Sequence, residues 1–259
     1  MAVHSWMGFL AGLLGVVMGS AMGALAWRLP RGRSWAGGRS ACPSCGVTLR
    51  PAELVPLLSF FAMRGRCRHC GHRIGWRYPL IEMLCGAWAV LLYLEVGLVP
   101  ALPFLALWGF LLAALMWIDL DFQLLPDALT FPGTLLALAA VLPRPGGPRH
   151  ALLGVLVGSG LLWLLAWSYL RLRKQEGLGG GDIKLAAMLG AVLGWKLMLV
   201  TLFLAALTGT VWGGVLMARR AGSGQTALPF GVLLCPAAML AFLWGEEWTR
   251  AYLRLLGAP

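Results

Sequence analysis

Apolar residues in this chain gather into long runs separated by short polar breaks. The runs cover residues 5–27, 79–98, 101–118, 127–142, 151–170, 183–195, 197–218 and 228–245. A bilayer-spanning helix needs about 20 such residues, and the run at 183–195 is the short one. Pro100, residues 143–148 and the Gly222-Ser223-Gly224 stretch mark breaks between runs. The pattern predicts an all-α polytopic membrane protein with about eight transmembrane helices. Its units are a first transmembrane helix at 1–27, a polar insert at 28–77, and a transmembrane domain at 78–259.

Composition agrees: 59% of the 259 residues are hydrophobic and 12% are charged, where soluble domains carry about 25% charged residues. The mean hydropathy is +0.79. A net charge of +11 raises nucleic acid as a partner, but no nucleic-acid module surrounds the basic residues. They lie mostly between apolar runs, as expected for a chain whose partner is the lipid bilayer. The first run is preceded only by His4 and the amino terminus and followed at once by Arg28, Arg31 and Arg33. A cleavable signal carries its positive charge first, so this run reads as a permanent helix with its N-terminus outside. Alternation from there puts sixteen Lys and Arg inside, Arg219 and Arg220 included, and five outside, which fits the positive-inside rule. The same count puts Asp119, Asp121, Asp127 and Asp182 on the cytoplasmic face.

Two acidic stretches carry candidate chemistry. Gly177-Leu178-Gly179-Gly180-Gly181-Asp182 is rich in Gly, each of which costs about 1 kcal/mol relative to Ala in a helix. Non-helical backbone at membrane depth is tolerated only where it is buried in protein or lines a wet cavity. The stretch therefore reads as a non-helical lip presenting a carboxylate to water; the plain alternative is a flexible turn whose Asp caps the next helix. The second stretch runs from Ile118 to Asp127. There Asp127 can cap the following helix, Asp121 can be a solvated loop acid, and Asp119, directly after Met116-Trp117-Ile118, is hardest to explain structurally. Asp119 and Asp182 are 63 residues apart, room for two spans that leave and return to one face. Two carboxylates sharing a site hold one proton between them, so one activates a water while the other polarises a carbonyl. Such a pair titrates as a unit, which leaves the acid and base roles unassigned. Asp121 and Asp127 are left as fixed negative charges near this pair. The competing class is a non-enzymatic membrane scaffold or a proton-coupled transporter; a transporter predicts internal repeats, and neither Asp motif recurs.

The insert holds ten Arg, one acid (Glu53) and four of the six cysteines. Cys42-Pro43-Ser44-Cys45 and Cys67-Arg68-His69-Cys70 are separated by 21 residues, a spacing that suits a four-thiolate structural zinc site. Gly46 and Gly71 follow the second cysteine of each knuckle, where a tight turn is useful. A cytoplasmic location argues against two disulfides. His69 and His72 are alternative ligands but sit among Arg residues. Cys85 and Cys235 lie in apolar spans and read as small buried side chains.

Together these motifs resemble the prepilin peptidases (type IV leader peptidases), and the likeness covers nearly the whole chain. Gly179-Gly180-Gly181-Asp182-Ile183-Lys184 is similar to the family's Gly-x-Gly-Asp-x-Lys, which singles out Gly179, Gly181 and Lys184. Asp119 lies in a segment similar to the first catalytic Asp motif. The insert resembles the cytoplasmic domain of the longer bacterial members, with Val55-Pro56-Leu57-Leu58-Ser59 between the knuckles and Tyr78-Pro79-Leu80-Ile81-Glu82 after them. Leu228-Pro229-Phe230-Gly231 is similar to a further signature. The resemblance implies an aspartyl endopeptidase of the bacterial cytoplasmic (inner) membrane. Its members cut the basic leader of prepilins or pseudopilins after Gly on the cytoplasmic side. They then methylate the new N-terminal amine with S-adenosylmethionine, serving type IV pili, type II secretion or DNA uptake. One departure bears on the second activity. The family's Gly-Ser-Phe-x-Asn is here Gly19-Ser20-Ala21-Met22-Gly23, without the aromatic and the amide, so a peptidase lacking methyltransferase activity is the alternative.

Overall fold

A chain segment in lipid must satisfy its backbone polar groups internally, and the apolar runs do so as helices. The structure, a computed structural model, describes residues 2–34, 37–175, 177–219 and 229–256. The expected break at Gly222-Ser223-Gly224, Arg220 and Leu228 lie outside the described residues. Eight α-helices follow in order: α1 (Ala2–Arg28), α2 (Leu58–Ala62), α3 (Arg77–Val96), α4 (Leu102–Phe122), α5 (Asp127–Val141), α6 (Gly147–Arg173), α7 (Gly180–Ala218) and α8 (Phe230–Leu255). No strand occurs among the described residues; the insert contributes two isolated bridges, Ala41 with Thr48 and Arg66 with Arg73.

Six of these helices are long and apolar enough to cross a membrane, and α5 is a shorter apolar helix. The expected runs 183–195 and 197–218 both fall in α7. Its backbone leaves helical geometry at Gly194 (φ 67°, ψ 178°), a left-handed φ that suits Gly. A Cβ on Gly158 of α6 would touch the Ala186 carbonyl before this break and the Met198 side chain after it. The chain therefore doubles back at Gly194, and α7 is a hairpin of two arms. The second arm runs antiparallel to α8, with Leu197 against Gly245 and Leu233 against Gly209. Arm 180–193 rises only about 21 Å at 1.5 Å per residue, which is why this run looked short. The fold break falls at Gly194 rather than beside Lys196 because only Gly takes that φ without strain.

The bundle closes on α4. Buried Trp88 of α3 and Trp108 of α4 and half-buried Phe242 of α8 form an aromatic cluster with centroid separations of 5.7–6.3 Å. Trp88 donates its Nε1–H to the Leu105 carbonyl at 3.3 Å. Elsewhere the helices meet backbone to backbone. A Cβ on Gly15 would lie 2.5 Å from the Cys85 carbonyl oxygen and 2.9 Å from the Gly86 Cα, and one on Gly154 would overlap the Gly190 carbonyl. In lipid there is no hydrophobic drive between helices, so association depends on such close packing of small residues. Trp163, Leu164 and Trp167 on α6 point away from the bundle and remain exposed for lipid contact.

Glycines on one helix separate packing from propensity. Gly154→Ala is expected to destabilise the detergent-purified protein by about 1–3 kcal/mol of overpacking, read as a lower melting temperature. Gly160→Ala, with open space around it, is expected to be neutral or stabilising. Equal effects from the two changes would exclude the backbone contact as the cause.

Candidate active site

Asp119 occupies the last turn of α4 and is 4% exposed. Its Oδ2 accepts a hydrogen bond from the Val232 backbone N–H at 3.1 Å, and the Gly231 N–H also donates to this carboxylate. Both donors belong to the first turn of α8, where backbone N–H groups have no intrahelical acceptor. The carboxylate of one helix thus caps the positive end of another. Gly231 makes this possible, because a Cβ there would lie 2.8 Å from Asp119 Oδ2.

Asp182 lies in the first turn of α7, half-buried, its N–H donated to the Gly179 carbonyl at 3.2 Å. The glycine stretch is non-helical only in its first half: residues 177–179 lie before the helix, Gly179 as an extended N-cap at φ −72°, while Gly180 and Gly181 are already helical. Helix starts tolerate Gly better than helix interiors do, and the small residues serve here to make room. A Cβ on Gly181 would lie 3.0 Å from Leu125 Cβ, and one on Gly231 would lie 3.2 Å from Leu125 Cδ2. Leu125, in the loop between α4 and α5, is thus wedged between the segment carrying Asp182 and the one holding Asp119. The two carboxylates interact electrostatically with each other, and both act on Cys235, buried in α8. The structure therefore brings together the two acids that the sequence paired. Leu125, Val232 and the role of Gly231 escaped the sequence; the Pro229-Phe230-Gly231 signature was the one available signal.

The other acids are paired with cations of the chain itself. Asp121 Oδ1 accepts a hydrogen bond from Arg77 Nη2 at 2.7 Å. Lys184 Nζ donates to both oxygens of Asp127, at 2.7 and 2.8 Å. Asp121 belongs to the last turn of α4 rather than to a loop, and Asp127 does not cap α5, whose N-cap is Pro126. The Lys184–Asp127 pair instead ties the start of α7 to the start of α5. Glu82 lies apart from these acids, buried on α3 beneath the insert, and accepts a hydrogen bond from the Leu57 N–H at 2.8 Å.

In the insert the four thiols of Cys42, Cys45, Cys67 and Cys70 lie within 4.8 Å of one another. The two knuckles match: Gly46 N–H donates to Cys42 O and Gly71 N–H to Cys67 O, each at 2.9 Å. Gly46 and Gly71 hold φ of 71° and 70°. Cys42 and Cys70 sulfurs stand 3.8 Å apart, far beyond a disulfide bond of about 2.05 Å. Tetrahedral zinc with bonds of about 2.3 Å spaces its sulfurs by about 3.8 Å. Hydrogen bonding from the Cys45 backbone N–H pulls the Cys42 thiol down to about 6, whereas at Cys45 a hydrogen bond from the Val47 N–H is outweighed by desolvation and the neighbouring thiols, which push it up to about 11. His69 and His72 are not in the cluster; His69 faces Glu53 at 3.9 Å.

Two family models match the chain: the bacterial peptidase A24 N-terminal domain over residues 13–96 and the type IV leader peptidase family over residues 104–214. Among similar proteins is a prepilin leader peptidase/N-methyltransferase of Pseudomonas aeruginosa, 36% identical over 95% of this chain and 93% of that protein. Proteins of the same name from Pseudomonas putida (37%, covering 96% and 94%) and Aeromonas salmonicida (40%, covering 83% and 74%) are also similar. No solved structure matches.

Gly231→Ala is expected to cut turnover at least tenfold, since the added methyl group displaces Asp119 from the α8 N–H donors. Gly180→Ala, with nothing within 4 Å of the new atom, should stay within twofold. The check is the rate constant of the cleavage step in single-turnover assays.

Proposed function

Because this chain belongs to the type IV leader peptidase family, we propose that it cleaves the leader of prepilins or pseudopilins with Asp119 and Asp182. The observation that carries the reading is the meeting of these two carboxylates at the ends of α4 and α7, beside the first turn of α8. One carboxylate takes a proton from the attacking water while its protonated partner hydrogen-bonds the scissile carbonyl. The tetrahedral intermediate then collapses, the C–N bond breaks, and the leaving nitrogen is protonated to a free amine. The α8 N–H groups hold Asp119 in place throughout, so its orientation costs nothing at the moment of reaction. The bond cut lies after Gly, on the cytoplasmic face of the bacterial inner membrane. The excess of Lys and Arg on that side supports this orientation. A basic leader would compete with Arg77 and Lys184 for Asp121 and Asp127.

The new amine is then methylated by the same chain, with S-adenosylmethionine as donor; the names of the similar proteins support this second activity. The four thiolates hold a structural zinc ion that fixes the fold of the insert, supported by the 3.8 Å sulfur spacing. A scaffold or transporter gives no reason for Asp119 to be held by the N–H groups of another helix beside Asp182.

Asp119→Asn and Asp182→Asn should each abolish cleavage of a synthetic prepilin while leaving thermal stability near wild type. Asp121→Asn and Asp127→Asn should retain measurable activity. Product mass reads both chemistries, and normal cleavage by Asp119→Asn would rule out the pair. Metal analysis should find about one zinc per chain, released together with melting of the insert by a strong chelator. A stoichiometry near zero would overturn the metal assignment.

A further inference from the structure

The peptidase site leaves three sequence segments unused: Gly19-Ser20 on α1, Val55–Ser59 in the insert, and Tyr78–Glu82 on α3. They converge on one carboxylate. Glu82 is 7% exposed, with Oε2 accepting the Leu57 N–H at 2.8 Å and a further hydrogen bond from the Ser20 hydroxyl. Gly19 lets α1 approach this closely, because a Cβ there would lie 2.6 Å from the Glu82 Cα. Among the described residues no Lys or Arg forms an ion pair with Glu82. Asp121 and Asp127, by contrast, have cations and Asp119 has a helix terminus; Asp182, like Glu82, forms no ion pair with a Lys or Arg among the described residues.

The donor from the insert is itself unusual. Leu57 holds φ 59°, ψ −55°, at the centre of a turn closed by Leu58 N–H on Pro56 O at 2.6 Å. A positive-φ turn of this kind is rare and strained for a side-chain-bearing residue. Backbone strain that persists is a reason to look for function, and here its effect is to aim one N–H at Glu82.

Glu82 and Ser20 line the floor of a cleft of about 870 Å³ between the insert and the ends of α1 and α3. The lining includes the aromatic rings of Trp27, Phe60 and Tyr78 and six arginines, with Glu53 and Glu82 as its two acids, so a cation entering the cleft has only these two carboxylates to meet. That volume lies in the range of small-molecule sites, about 300–1,000 Å³, and aromatic faces attract cations. The cleft also adjoins the peptidase site. Arg77 lines it and pairs with Asp121, two residues beyond Asp119. A narrow crevice bounded by Trp27, Arg77, Tyr78, Trp117 and Asp121 lies between them.

A buried carboxylate with no cation within ion-pair distance has room to take one, and the methylation proposed above involves two, the substrate's α-ammonium and the donor's sulfonium. An α-amine has an ordinary pKa of about 7.7–8.0, so it reaches the site mostly protonated and without a free lone pair. We propose that this cleft is the methyl-transfer site and that Glu82 binds the α-ammonium of the cleaved substrate and removes its proton. The freed lone pair then forms the N–CH3 bond while the C–S bond of the sulfonium donor breaks and its electrons stay on sulfur. The secondary amine leaves as a cation, S-adenosylhomocysteine leaves neutral at sulfur, and Glu82 returns its proton to water through the open cleft.

This inference rests on the methylation reading, and its test separates the two. Full-length wild type, Glu82→Gln and Glu82→Asp in lipid nanodiscs are given an uncleaved prepilin, and products are weighed. Binding is measured separately with a synthetic peptide that begins at the mature N-terminus, with its amine free or acetylated. Gln retains an oxygen to accept the Leu57 N–H. Glu82→Gln should therefore cleave within twofold of wild type, yet yield at least 100-fold less methylated product. It should bind the free-amine peptide at least tenfold more weakly and the acetylated peptide equally well. Glu82→Asp should recover part of the methylation. Equal loss of cleavage and methylation, or unchanged discrimination between the two peptides, would make Glu82 a structural strut and overturn the proposal. If wild type never methylates, the methylation reading fails, and with it the site's assignment to methyl transfer; the peptide comparison then decides whether Glu82 recognises the amine at all.

Discussion

Asp119 presents the constraint from which the peptidase half follows. A carboxylate buried to 4% exposure beside lipid must have its oxygens occupied, and the first N–H groups of a membrane helix equally lack acceptors. Placing the end of α4 against the start of α8 satisfies both at once. That solution requires a residue without a Cβ at Gly231, and it leaves room for Leu125 to wedge between α7 and α8. Asp182 is then carried to Asp119 by the start of α7, which the Lys184–Asp127 pair ties to α5. Each part of the site is an end of a helix, where polar groups are already unpaired.

The same economy of space governs the bundle. Gly15, Gly154 and Gly158 bring backbones into direct contact, because lipid offers no hydrophobic gain for looser side-chain packing. The α7 hairpin depends on this as well. Its first arm lies on α6 through Gly154 and Gly190, and its return at Gly194 brings Met198 back to the same helix. His150 supports the turn from α6, placing its Nε2 3.0 Å from the Val192 carbonyl.

The insert is a second polar structure resting on the first. Its thiol cluster holds two knuckles together, and the segment between them returns to α3 through Leu57 and Glu82. Arg77 marks the seam, facing the cleft under the insert and pairing with Asp121 beside the aspartates. Cleavage creates an amine and methylation consumes it, so a methyl-transfer site in the cleft beside Arg77 would suit the order of the two reactions.

The sequence by itself determined much of this. Apolar run length dictates helices in lipid, and the knuckle spacing defines a four-thiol site, since each is a local property of the chain. The pairing of Asp119 with Asp182 was readable as a possibility from two acidic stretches assigned to one face and from motif likeness, because a separation of 63 residues says nothing by itself of their meeting. The glycine stretch was read as non-helical throughout, whereas α7 already begins at Gly180, since propensity cannot foresee that a helix start beside Leu125 needs residues without side chains. The partners of Asp121 and Asp127 were equally hidden: a charge near a membrane surface looks free until the helix carrying its counter-ion is placed. What only the tertiary structure decided, then, are contacts between ends of different helices: Asp119 on α8, Lys184 on Asp127, and Leu57 on Glu82. Hydropathy and propensity average over a segment, whereas these contacts depend on where single atoms at segment ends come to rest.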